Sequence, residues 1–194
     1  MDALAFFMTR YEDSHGRFTD ELLADLADDQ MRRRPHPAVN TIAWLVWHMA
    51  RAEDIGVNRF VADRPQVLDD ESWLPRLNIG RRDLGTGMDG GEVDDLSARV
   101  DLAALRGYWG AVGRRTRVIV ARLCPDDLDP VITPEHARRV AVDERAAGDK
   151  AAWLAPIWGG QSRGWFLCQL ALAHNYGHLF EARVVKGLWG MRSR

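Results

Sequence analysis

The sequence predicts an all-α protein built as a four-helix bundle with long inter-helix connections. Three observations carry this: four long segments whose apolar residues recur at a period near 3.6, no segment with a convincing period of two, and proline- and glycine-rich breaks between the four. The 194 residues are expected to form a single domain over 1–194, with a sizeable core. Apolar residues make up 46% and charged residues 28%, which is globular and not disordered composition.

The first helix is expected from about Asp2 to Ala27, where Leu4, Phe7, Met8, Tyr11, Phe18, Leu22, Leu23 and Leu26 share helical spacing. Pro35 and Pro37, one residue apart, then break the chain, and Arg32, Arg33 and Arg34 read as a solvated helix exit. Asn40 reads as the N-cap of a second helix from Thr41 to about Ala62, closed by Pro65. Residues 63–97 hold Pro65, Pro75 and five glycines, and read as a long loop with a short turn at Glu71 to Leu74. A third helix is expected from about Asp101 to Leu123. Its β-branched run Val118-Ile119-Val120 would suit a strand, but the flanking period is helical and no partner strand is visible. Thr133-Pro134-Glu135 combines an N-cap, a first-position proline and a first-turn acid, so a short helix to about Ala147 follows, ended by Gly148. Trp153, Pro156, Trp158, Gly159 and Gly160 read as an irregular connection with the tryptophans packed beneath it. Ser162 caps the last helix, which runs to about Lys186. Four helices of similar length, about 33 to 39 Å at about 1.5 Å per residue, favour a bundle, and the long links call for a crossover or an end cap.

The formal net charge of -2 provides no field to attract nucleic acid or an anionic membrane. The longest apolar stretches, Ile42 to Met49 and Trp165 to Ala173, fall short of the roughly 20 residues that span a bilayer. Met1-Asp2-Ala3-Leu4 lacks a basic leader. Cys124 and Cys168 form no C-x-x-C and read as reduced thiols, Cys168 within the core. A cytoplasmic protein with a small-molecule substrate is expected. Gly85-Thr86-Gly87 has neither the preceding strand nor the spacing of a phosphate loop, and the acid runs Asp69-Asp70-Glu71 and Asp126-Asp127 read as turns and caps.

The chemistry-bearing signal is His174-Asn175-Tyr176-Gly177-His178. Residues four apart on a helix differ by about 40°, so both imidazoles leave one face one turn apart, on a line with Leu167, Leu170, Ala171 and Val185. His48 lies in Trp44-Leu45-Val46-Trp47-His48-Met49-Ala50 and also points inward. Several buried imidazoles must each be satisfied, either as core residues bonded through one nitrogen or as ligands of a shared metal. His15, His36 and His136 have polar or proline neighbours and read as surface or loop residues. Glu181 and Glu53 are candidates to orient a ligating imidazole.

The stretches Leu22 to Leu26 with Asp28 to Arg32 and Pro35, Asn40 to Ala50, Leu123 to Asp129, and His174 to His178 together resemble the DinB/YfiT-like superfamily, over about two thirds of the chain. The resemblance implies an up-down-down-up bundle, frequent homodimerisation, and a divalent metal (Zn, Ni, Fe or Mn) held by His48, His174 and His178. It also implies transferases that use low-molecular-weight thiols such as bacillithiol or mycothiol, and a mycothiol-dependent isomerase. The loop at 63–97 and the segment at 133–161 depart from the family pattern. The leading reading is a metal-dependent thiol S-transferase. A hydrolase or isomerase on the same site, or a non-catalytic metal-binding or dimerising bundle, are the alternatives. No catalytic residue is singled out.

Overall fold

The structure, a computed structural model, describes residues 2–191. In chain order its helices are α1 (3–23), α2 (Asp28–Arg32), α3 (42–61), α4 (Val67–Asp70), α5 (Trp73–Leu77), α6 (Gly90–Arg99), α7 (Leu102–Val120), α8 (134–143), α9 (Leu154–Trp158) and α10 (163–188). The long helices α1, α3, α7 and α10 form the bundle. Among the described residues no strand forms, and Val131 and Ser162 pair only through an isolated bridge. Val118-Ile119-Val120 is the last turn of α7. No helix of the described residues is long and apolar enough to cross a membrane.

Local chemistry accounts for the ends of the long helices. Thr41, and not Asn40, caps α3 by accepting from the Trp44 amide at 3.0 Å. Asp101 caps α7, and Ser162 caps α10. The C-terminus of α1 is held by Lys186, whose ammonium donates to the carbonyls of Glu21, Leu22 and Ala24. The helix therefore stops at Leu23, short of the expected Ala27, with Asp25 in the left-handed region. Arg32 likewise donates to the Ser97, Ala98 and Val100 carbonyls at the end of α6, and Arg34 pairs with Asp94, so this arginine run ties two helices rather than forming a solvated exit.

The expected loop at 63–97 contains three short helices. Pro75 is tolerated because it lies in the first turn of α5, where its missing N–H is not needed. Gly90 and Gly91 open α6 behind a reciprocal cap in which Asp89 accepts from the Glu92 amide and Glu92 accepts from the Asp89 amide. In the second long link, α8 ends at Asp143 ahead of Arg145, which takes a positive φ, and Gly148 plays no part in stopping it. The 153–160 connection is ordered as α9, which buries Trp158 and leaves Trp153 exposed. Cys168 is exposed, because Phe166 and Leu167 take the core-facing side of α10 and leave it on the other.

Every residue of Ile42–Glu53 is buried. A helix surrounded on all sides is the centre of the bundle, and α7 and α10 both pack on it. Gly56 permits the close approach of α10, since a Cβ there would meet the Leu170 Cβ at 2.8 Å. The apolar core forms two clusters, one around Trp47 and Leu105 and one around Phe60 and Phe166. Both draw on α3, which also carries the buried polar residues His48, Arg51, Glu53, Asp54 and Asn58.

Glu53 joins the long helices. Its Oε1 accepts from Tyr11 Oη at 2.5 Å and Thr116 Oγ1 at 2.7 Å, and its Oε2 accepts from His15 Nε2 at 2.7 Å and Asn175 Nδ2 at 2.6 Å. Burial opposes its charge, but His15, Tyr11 and Thr116 outweigh that and hold its pKa below the usual carboxylate value. Glu53→Gln is expected to lower stability by about 2 kcal/mol, because an amide nitrogen in place of one carboxylate oxygen turns a donor onto buried donors; a urea midpoint equal to the wild type's would contradict this.

Candidate metal centre

The bundle brings His48, His174 and His178 together: one ligand nitrogen from each lies within 4.8 Å of the others. His48 comes from α3 and is 5% exposed, and its ring stacks on Trp44 at 4.5 Å between centroids. His174 and His178 come from successive turns of α10 with centroids 4.5 Å apart. The π-helical turn Gln169–Ala173, just before His174, shifts the register of α10 as the ligand pair begins.

The partners on the far side of two rings decide which nitrogen faces inward. His48 Nδ1 contacts the Leu84 carbonyl, which can only accept, so Nδ1 carries the proton and Nε2 the lone pair. His178 Nδ1 donates to Glu181 Oε2 at 2.7 Å, and Asn40 Nδ2 donates to Glu181 Oε1 at 2.9 Å. The His178 bond, chiefly, keeps the Glu181 pKa low, so it stays an acceptor. His174 Nε2 lies 3.0 Å from His48 Nε2, while His174 Nδ1 is buried without a partner. Outside the three rings no hydrogen-bond donor of the described residues reaches these inner nitrogens, and with one from each ring within 4.8 Å of the others the set fits a divalent cation and could hold one.

The electrostatics agree. Burial, with a smaller contribution from His178, pushes the His48 pKa down to about 4 against the Leu84 carbonyl and Glu181, which pull it up. Burial and then the two neighbouring imidazoles put His174 well below its ordinary value. Both rings are neutral at pH 7, the state in which imidazole ligates. The site reaches solvent at His178, whose side chain is 25% exposed. Surface clefts lined by Arg82 and Arg145 do not include the imidazoles, so donor chemistry and not concavity marks the centre.

Of the residues expected to orient a ligand, Glu181 does so. Glu53 does not touch a ligand ring and bonds to Asn175, beside His174. His15 is a correction: its side chain is 2% exposed, stacked on Trp109 at 3.9 Å between centroids and bonded to Glu53. Of its polar neighbours, Glu12 pairs with Arg117 of α7, while Asp13 pairs with Arg10 and Arg17 of its own helix. The signal that marks it is on α7, where Gly113 leaves room for the ring. His36 is exposed, and His136 is partly buried against Phe60. Gly85-Thr86-Gly87 lies next to the residue that supplies the Leu84 carbonyl, a role with no motif.

An all-α bundle with three histidines converging from two of its long helices defines the class. A sequence model of the DinB superfamily matches residues 13–179, and the chain belongs to that superfamily. The crystal structure of a conserved protein from Enterococcus faecalis is similar, with a TM-score of 0.63 and 17% identity, covering 96% of this chain and 99% of that one. At that identity the likeness shows the fold alone. No curated protein matches the chain.

The depressed imidazole pKa values give a pH dependence. For His48 the unfolded chain takes up a proton near 6.5 and the folded one only near 4, so the unfolded state holds more protons between those values. The metal-free protein is expected to have its full stability above that interval and to lose it as pH falls through it; urea unfolding across the interval checks this, and a flat profile would contradict neutral buried rings.

Proposed function

We propose that the protein is a divalent-metal-dependent enzyme that transfers a low-molecular-weight thiol to an electrophilic small molecule. The observation that carries this is the convergence of three imidazoles, without a fourth protein ligand among the described residues, on a side open at His178. Three histidines with a position left for substrate is the pattern of a catalytic and not a closed structural centre. His48, His174 and His178 would hold the ion, which when bound supplies the Lewis acidity that lowers the pKa of a thiol or water.

The chain's own residues prepare that site. The Leu84 carbonyl and Glu181 keep protons on the outer nitrogens of His48 and His178 and leave the inner ones free. Asn40 fixes the Glu181 carboxylate. Trp44, stacked on His48, keeps water from that ring. Mycothiol and bacillithiol, used elsewhere in the superfamily, are the thiols of choice for a first assay. Hydrolysis at the same centre is the alternative on a water nucleophile.

Elemental mass spectrometry is expected to find about one metal per chain in the wild type and little in the His48→Ala, His174→Ala and His178→Ala variants. The loaded protein should consume a chloro-nitroaromatic electrophile only with thiol present; consumption without thiol would replace transfer by hydrolysis, and none with either would remove the catalytic reading.

The homodimer belongs to the same proposal. Phe180, Val184 and Leu188 are exposed at one-turn intervals along α10 and form an apolar stripe suited to a second copy. Light scattering is expected to give the mass of two chains for the wild type and of one for Val184→Glu; a monomeric wild type would remove the dimer.

A further inference from the structure

One turn beyond His48 on the same face of α3 is Arg51, completely buried. Its Nη1 donates to Asp54 at 3.1 Å and Tyr108 at 2.7 Å, and its Nη2 to Gln66 at 2.6 Å. The rest of the guanidinium is turned onto backbone: Nε donates to the Arg82 carbonyl at 3.1 Å, and Nη2 contacts the same oxygen. Two residues along that segment is the Leu84 carbonyl that holds His48 Nδ1. One face of α3 therefore grips the segment twice, once through Arg51 and once through His48.

The segment has little freedom to move otherwise. The Leu84 amide donates to the Ala146 carbonyl at 2.9 Å. Asp83 Oδ1 accepts from the Gly85 amide at 2.7 Å, while Arg81 Nε donates to the Asp83 carboxylate. Gly85 takes φ +84° with its Cα against the Trp47 ring, where any Cβ would collide. An arginine serves here because its planar fork can hold a carbonyl, an amide oxygen and a carboxylate at once, which an ammonium cannot do with the same geometry.

We infer that Arg51 is a positioning residue for His48: by anchoring the Arg82 carbonyl it holds the Leu84 carbonyl against Nδ1 and fixes His48 as an Nε2 donor to the metal. This rests on the metal reading above. A purely structural Arg51 would stabilise the fold without affecting the state of the ring, and the two roles separate experimentally. Partners of ligating histidines typically change metal affinity by about 10- to 100-fold when removed.

The test measures Zn²⁺ and Co²⁺ affinity by chelator competition, and the His48 tautomer by ¹⁵N NMR of the metal-free protein. The variants are Gly85→Ala, which displaces the segment, and the charge-neutral pair Arg51→Met with Asp54→Asn. Tyr108→Phe is the control, removing a hydroxyl from the buried network without touching the segment. The wild-type ring is expected to carry its proton on Nδ1. Both segment variants should bind metal about 10- to 100-fold more weakly and lose that tautomer preference, while Tyr108→Phe loses stability but keeps both wild-type values. Folded segment variants with wild-type affinity and tautomer would overturn the proposal and leave the metal centre standing. A metal-free wild type protonated on Nε2 would overturn it even if neither variant folds. A wild type that binds neither ion would remove the metal centre and this proposal with it.

Discussion

The Glu53 carboxylate accepts a hydrogen bond from each of the other long helices: Tyr11 and His15 from α1, Thr116 from α7 and Asn175 from α10. A carboxylate with no water around it is tolerable only when its oxygens are fully bonded, so the helices must meet at a register that delivers all four donors. Apolar packing alone would allow the helices to slide by small amounts at little cost, because dispersion contacts are numerous and individually weak. Directional bonds to one buried charge remove that freedom. His48 lies five residues before Glu53 on α3, and His174 is the neighbour of Asn175, so the register set at the carboxylate also aligns the imidazoles.

The candidate centre is thus built from two kinds of support. The long helices carry the rings, and the connections orient them: Leu84 from the first long link acts on His48, and Asn40, just before α3, acts through Glu181 on His178. The links after the second and third long helices meet where the Leu84 amide bonds to the Ala146 carbonyl. The second link therefore bears on His48 through the first, by one backbone hydrogen bond.

Much of the bundle was legible because its signals are local. Period, proline breaks and the caps Thr133 and Ser162 depend on residues within a turn or two of each other. The spacing of His174 and His178 is of the same kind. Other readings failed where distant residues decide. The polar neighbours of His15 suggested solvent, but one face of α1 turns that ring onto Trp109 and Glu53. The glycines at 90 and 91 suggested a loop, but the Asp89 and Glu92 pair around them is a helix start hidden by its own punctuation. Asn40 stood where a cap belongs, yet Thr41 took the cap and freed Asn40 for a residue 141 positions away.

By itself the sequence determined an all-α chain of four long helices and the inward direction of three histidines, since helical periodicity and the angle per residue are properties of the backbone. Only the tertiary structure decided that the three imidazoles meet, which nitrogen of His48 and of His178 faces inward, and that Glu53 joins helices rather than serving a ligand. Those outcomes depend on which hydrogen-bond acceptor arrives from elsewhere in the chain, and a carbonyl such as Leu84 carries no side-chain identity that a sequence could display.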